Sequence, residues 1–231
     1  MIGIIGAMSV EMEKLISLTE HKEEAVHGSI RFTRGTLFGT EAVLATCGIG
    51  KVFAGICAQT MILTYHPELI INVGVGGTLT DRLSVTDIAI ADALVQHDMD
   101  TSPLGDPVGL ISGINVVEIP CDREIASLLE QAAAGLGIRT ARGVIASGDQ
   151  FIASAEQKER IVANFHPIAC EMEGAAIGQV CYVNGVKAAV VRAISDSADG
   201  SAELSYGEFT KVAAENSARV LAAFCKLYTN E

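Results

Sequence analysis

Carboxyl groups set beside small or apolar residues must be either paired or put to use, because burying an isolated charge is costly. Several stretches of this chain do that. CEMEGAAIGQVC (170–181) places Glu171 and Glu173 around Met172 at the mouth of an apolar helix. VVRAISDSAD (190–199) carries Arg192 on an otherwise apolar strand and then delivers Ser195 and Asp196. IGIIGAMSVEME (2–13) runs from a buried strand through Gly6-Ala7-Met8 to Glu11. Each has a plain structural reading. Acidic residues in a first helical turn complement the helix dipole, and an aspartate at a strand end caps a turn. Each also has a chemical reading, since a carboxyl in a partly dry site holds a proton and can act as a general acid. Ser195 could orient the Asp196 carboxyl, and Arg192 could pair with a glutamate such as Glu173.

Other candidate motifs carry less. Gly48-Ile49-Gly50-Lys51 resembles a phosphate loop, but Val52 stands where the magnesium-binding Ser or Thr belongs and Ala45 where the first glycine belongs. Gly74-Val75-Gly76-Gly77 does not match G-x-G-x-x-G, so its glycines read as a tight turn that admits close backbone approach. His97-Asp98-Met99-Asp100 has one histidine among acids and reads as a polar loop. The six cysteines form no CxxC pair and none has metal-ligand spacing with histidine, so no metal site is expected.

These residues need a scaffold, and the hydrophobic pattern outlines one. Strands are expected at 2–5, 30–37, 41–46, 69–73, 87–95, 140–146 and 187–194, with another short one before Glu171. Helices are expected at 10–18, 51–65, 122–136, 155–164 and 205–228. Lys51 to Tyr65 must stop before Pro67, and Gly39-Thr40 suits a hairpin turn. Alternating strands and helices, with strands apolar on both faces, imply an α/β fold: three αβα layers around a mixed, largely parallel, twisted sheet. With no linker and no repeat, residues 1–231 read as a single domain. In such sheets ligands bind beyond the carboxyl ends of strands, which is where the acids gather. Glu171 and Glu173, if both helical, would point roughly 200° apart, so only one of them should face a ligand.

Bulk properties bound the partners. With 16 basic and 28 acidic residues the net charge is −12, which repels nucleic acid and anionic membranes. Apolar stretches are interrupted, as at Asp92 and Arg192, before the roughly 18 residues a membrane span needs. MIGIIGAM has no basic region ahead of its apolar residues, so a cytoplasmic location with reduced thiols is expected.

Taken together, IGIIGAMSVEME, GIGKV, INVGVGG, SGDQFI, EMEGAAI and RAISDSAD occur in an order and spacing similar to those of bacterial methylthioadenosine/S-adenosylhomocysteine nucleosidases, members of the nucleoside phosphorylase superfamily. The resemblance spans residue 2 to about 225. EMEGAAI is shared across the superfamily, whereas GAM followed by Glu11, with SGDQFI and RAISD, is more specific.

What the resemblance implies is an adenine-releasing hydrolase of methionine salvage, cofactor-free and homodimeric. Asp196 would protonate the leaving base, held by Ser195. Glu11 would orient and deprotonate the water, and Glu173 would accept a hydrogen bond from a ribose hydroxyl. Met172 would pack on the sugar, Phe151 stack on the base, and the backbone of Ile152 read its edge. Met8 and Ile49 would line the sugar and water region, with Tyr206 near the 5′ substituent. Val75 stands where the family commonly has a serine at the sugar end. The segment TSPLGDPVGLISG (101–113) matches a loop that family members lend to the neighbouring subunit's 5′ pocket, and Leu104 would supply its apolar contact. A phosphorylase, or a nucleosidase acting on futalosine or deoxyadenosine, is the alternative. Asn72, Val75 and Glu11 all disfavour a bound phosphate, so water is the expected acceptor.

Overall fold

The structure is a computed structural model that describes residues 1–199 and 202–228. Its elements run β1 (Ile2–Gly6), α1 (Ser9–Leu18), β2 (Glu20–His27), β3 (Ile30–Leu37), β4 (Thr40–Thr46), α2 (Lys51–Tyr65), β5 (Leu69–Thr78) and β6 (Ile88–Gln96). Then follow β7 (Ile119–Pro120), α3 (Arg123–Gly135), β8 (Thr140–Ser147), α4 (Ala155–Phe165), β9 (Ala169–Glu171), α5 (Gly174–Asn184), β10 (Lys187–Asp196) and α6 (Ala202–Tyr228). The expected elements are present within a few residues of their anticipated ends. The turn between β3 and β4 falls one residue early, at Phe38 and Gly39, whose φ angles of 49° and 85° are both left-handed, as a two-residue hairpin requires.

Two strands escape the sequence pattern: the two-residue β7, too short to show a period, and β2. β2 (EHKEEAVH) is exposed along nearly its whole length, so it has no apolar alternation to reveal it. It pairs only with β3, at the sheet margin, where its charges discourage pairing with a further strand.

The sheet is mixed: the central ladders β4–β1–β5–β10 and the ladders β6–β8 and β8–β9 are parallel, while β10–β6 and β5–β9 are antiparallel. β1 lies between β4 and β5, and β5 also pairs in parallel with β10. β1 and β5 are buried throughout, which explains their apolar character, interrupted in β5 only by Asn72 and the terminal Thr78. α1, α3 and α6 cover one face, bringing Met12, Leu15, Ile125, Leu129, Leu221 and Phe224 against Ile4, Leu44, Ile71 and Val191. α2 and α5 cover the other, with Cys57, Met61, Ile177 and Cys181 against Ile5, Val43 and Ile70.

The far half of the sheet bends back on itself. β10 pairs with β6, β6 with β8, β8 with β9, and β9 returns to β5, so five strands close a ring. Within it β9 meets the end of β5 antiparallel, Cys170 opposite Gly77. The ends of β8 and β9 thereby arrive beside those of β1, β5 and β10 from a different direction. An open sheet of one sense would not have gathered all five. Among the described residues no helix is long and apolar enough to cross a membrane.

Candidate active site

The site is built over one buried cation. Arg192, on β10, is 1% exposed. Its Nη2 donates to Glu171 and to Asn72 Oδ1, and its Nη1 donates to the backbone oxygens of Val191 (3.0 Å) and Asn72 (3.3 Å). Asn72 is itself fixed, its Nδ2 donating to Ile5 O at 2.8 Å. Glu171 ends β9 and also receives the Ser147 hydroxyl and the backbone N–H groups of Glu173 (3.0 Å) and Gly174 (2.8 Å). One carboxylate therefore neutralises the arginine and caps the start of α5.

Glu171 lies on a strand and Glu173 sits at the N-cap of α5, φ −135° and ψ −37°. The helical phasing expected for this pair does not apply, and both carboxyls border the same cavity. The arginine's pairing also differs from expectation: its direct partner is Glu171, and Glu173 Oε2 lies 4.0 Å away. Glu173 Oε1 instead accepts from the Gly50 N–H at 2.8 Å. Burial, with the neighbouring Glu171 charge, pushes the Glu173 carboxyl up to about 7 against the opposing pull of Arg192 and Gly50.

Glu11 enters from the first turn of α1. Its Oε2 accepts from Ala7 N and Met8 N, both at 2.8 Å, and its Oε1 from Val75 N at 3.1 Å. An ideal Cβ at position 74 would lie 2.6 Å from Glu11 Oε1, so Gly74 makes room for the carboxylate. Burial raises the proton affinity of Glu11; Arg192 and the three N–H donors oppose it. Asp196 closes β10, with Oδ2 accepting from Ser195 Oγ (2.8 Å) and Oδ1 from Ala198 N (2.9 Å). Gly77 does for Asp196 what Gly74 does for Glu11, a Cβ there falling 2.6 Å from Oδ1. Burial again lifts this carboxyl above its ordinary range, Ser195 and Ala198 opposing.

These groups line one cavity of about 540 Å³ with Met8, Ile49, Val75, Phe151, Ile152, Met172 and Tyr206. Phe151 and Tyr206 meet edge to face, centroids 5.5 Å apart, and the Tyr206 hydroxyl donates to Met8 Sδ at 3.1 Å. Arg192, a candidate for substrate binding, and Leu104, expected at a neighbouring subunit's pocket, are not in the lining. Arg192 lies beneath it, held by Asn72 and Glu171. Leu104, on a single 3-10 turn, is 83% exposed and away from this chain's own cavity.

The structure also joins features that the sequence left separate. Lys51 Nζ donates to Asp98 Oδ1 (2.6 Å) and Gln96 Oε1 (3.1 Å). Asp98 Oδ2 accepts from Asp149 N (2.9 Å), and Asp149 Oδ1 accepts from Lys51 N (2.8 Å). The lysine of the rejected phosphate loop and the acid of the His97-Asp98 stretch thus tie the start of α2 to the loop bearing Phe151. Spacing could not reveal a pair 47 residues apart.

Fold and cavity together define a class, and sequence comparison specifies it. The phosphorylase superfamily model matches residues 1–226, and the chain belongs to that superfamily. Within it the chain is 39% identical to the 5′-methylthioadenosine/S-adenosylhomocysteine nucleosidase of Actinobacillus succinogenes, over 95% of this chain and 96% of the relative. It is 37% identical to the aminodeoxyfutalosine nucleosidase of Helicobacter pylori strain J99, again over 95% and 96%. The crystal structure of the Neisseria meningitidis 5′-methylthioadenosine/S-adenosylhomocysteine nucleosidase with methylthio-immucillin-A superposes with a TM-score of 0.94 at 34% identity, covering 97% of this chain and 98% of that one.

Two outcomes are expected. Glu171→Gln leaves Arg192 without its charged partner and should cost about 3–5 kcal/mol in urea unfolding, as breaking a buried ion pair does; an unchanged midpoint would refute the pairing's importance. Glu173 has the opposite sign of linkage from a salt-bridged acid. The folded chain keeps its proton up to about pH 7, while the unfolded chain releases it near 4.5, so its contribution to stability declines as pH rises between them. Thermal unfolding at about pH 5 and about pH 7.5 should show a smaller decline for Glu173→Gln than for the unsubstituted chain.

Proposed function

We propose that this chain, a single domain over residues 1–231, hydrolyses the N-ribosidic bond of 5′-methylthioadenosine and S-adenosylhomocysteine and releases adenine. One observation carries the reading: Glu11, Glu173 and Asp196, from three distant segments, converge on one cavity. Hydrolysis of this bond needs help at both ends. Adenine leaves poorly as an anion, so its five-membered ring must gain a proton, and a buried carboxyl with raised proton affinity supplies one. Asp196 takes that role, steadied by Ser195 and the Ala198 N–H. Glu11 orients and deprotonates the water, its two oxygens aimed by three backbone donors. Glu173 accepts from a ribose hydroxyl and feeds electron density toward the developing oxocarbenium ion. Phe151 stacks on the base, Ile152 reads its edge through the backbone, Met172 packs on the sugar, and Tyr206 lies toward the 5′ end.

Water rather than phosphate is the acceptor. Among the described residues the lining holds four carboxyl groups and no lysine or arginine, a surrounding hostile to a dianion. A futalosine-type substrate is the second reading, favoured by the Helicobacter pylori relative and by a 101–113 segment without aromatic residues.

A homodimer in the cytoplasm, serving methionine salvage without a cofactor, completes the proposal. Val52, Ile56 and Leu63 on α2 are 72%, 52% and 64% exposed, with Tyr182 and Val183 exposed nearby on α5. An apolar face of this kind is typical of an interface, and pairing there would leave Leu104 free to reach the neighbouring cavity.

Assays with and without phosphate decide the acceptor: a free reducing sugar in both supports hydrolysis, and a sugar phosphate refutes it. Asp196→Asn should lower adenine release at least about 10²-fold in a folded protein; near-normal turnover would remove Asp196 from its role. Ile56→Glu should shift the sedimenting species from dimer to monomer, and an unchanged dimer would place the interface elsewhere.

A further inference from the structure

Lys158 is outside the cavity lining, yet it grips the segment that carries Asp196. It stands in the first turn of α4, half-buried. Its Nζ donates to the backbone oxygen of Ser197 at 2.8 Å and to that of Thr78, at the end of β5, at 3.1 Å. Ser197 directly follows Asp196, and the next residue is strained. Ala198 has φ 49°, a left-handed conformation that is strained for a non-glycine residue and persists only where its surroundings enforce it. At this strained residue the Ala198 N–H donates to Asp196 Oδ1. Ala198 is fully buried, against Ile152, Ile161 and Cys170 among others.

We propose that Lys158 is a positioning residue for Asp196, its ammonium fastening the Ser197 carbonyl to the Thr78 carbonyl so that the strained turn holds the acid over the cavity. The proposal rests on the reading of Asp196 as the general acid. The lysine acts through geometry, because its charge favours the ionised form of Asp196 and so works against the proton that the acid must hold. Its helix also ties the acid to the base side of the cavity. α4 begins three residues after Ile152, with Ser154 as its N-cap accepting from Gln157 N. A shift of the loop bearing Phe151 and Ile152 would therefore move the Lys158 anchor as well. Lysine suits the task because one compact ammonium carries three donors and can satisfy two carbonyls from separate strands.

The test is steady-state kinetics of adenine release from 5′-methylthioadenosine by Lys158→Met, with circular dichroism to verify the fold. Expected is a fall in kcat of about tenfold or more, a part of what a general acid contributes, with KM changed less than about twofold. Lys158→Arg should recover most of the loss. In an Asp196→Asn background Lys158→Met should add less than about twofold, because the group it positions is already gone. If Lys158→Met does not fold, Lys158→Gln, which keeps a single donor arm, should show an intermediate fall in kcat. An unchanged kcat, a KM rise that matches the kcat loss, or full additivity with Asp196→Asn would each overturn the proposal. A parent protein that releases no adenine refutes the nucleosidase reading instead, which separates the two failures.

Discussion

The buried contact between Arg192 and Glu171 is the constraint on which the site depends. A guanidinium inside a sheet is costly to desolvate, and an ion pair offsets that cost only when its remaining hydrogen bonds are made. Here those of Nη1 and Nη2 are supplied by Asn72 and by the backbone of β5 and β10, and the Ser147 hydroxyl serves the carboxylate side, while the buried Nε has no partner among the described residues. The pair spans β10 and β9 across the end of β5. It also brings the start of α5 to the same point, since the Glu171 carboxylate receives the Glu173 and Gly174 N–H groups. Binding Glu171 closely, the cation leaves Glu173 at 4.0 Å, near enough to feel it and too far to be neutralised by it. One positive charge among several carboxyls thus divides them into a structural acid and acids whose protons remain exchangeable.

Proton affinity at the cavity follows from this division. Glu11 and Asp196 sit on opposite sides of the strand-end segment 74–77, each drawn close to the backbone because glycine stands opposite it. Both are lifted above the ordinary carboxylate range by burial, yet their hydrogen-bond partners differ. Glu11 accepts three backbone N–H groups, which favour its ionised form and suit a base. Asp196 has a serine hydroxyl and one N–H, in a turn restrained by Lys158. Different environments separating the roles of similar groups is how one site runs acid and base chemistry together.

Much of this was legible in the sequence, and the rest was not for definite reasons. Glu11, Glu173 and Asp196 stood out as carboxylates set beside apolar runs, and their roles came from the family resemblance. Helices such as Lys51–Tyr65 were bounded by proline and periodicity. Arg192 lies at ion-pair distance from Glu173, as the sequence suggested, but its closer partner Glu171 was not singled out, because β9 is only three residues long and too short to show a period. The closing of the sheet through β9 was hidden for the same cause. β2 was hidden by its uniform exposure. Long-range polar contacts, Lys51 with Asp98 and Lys158 with Ser197, leave no signature in spacing at all. Leu104 was placed by resemblance at a neighbouring subunit's pocket, and it does not line this chain's own cavity.

The central claim is electrostatic: burial raises the proton affinity of the acids at the cavity, and a single cation committed to Glu171 opposes that rise at Glu11 and Glu173 without cancelling it. Carboxyl carbon-13 NMR, with glutamate labelled and Glu173 assigned by substitution, reads this directly. The account predicts a Glu173 resonance that titrates near pH 7 and moves higher still when Arg192 is replaced by an uncharged residue in a folded protein. A Glu173 midpoint at the ordinary glutamate value of about 4.3, unaffected by the loss of the arginine, would contradict it.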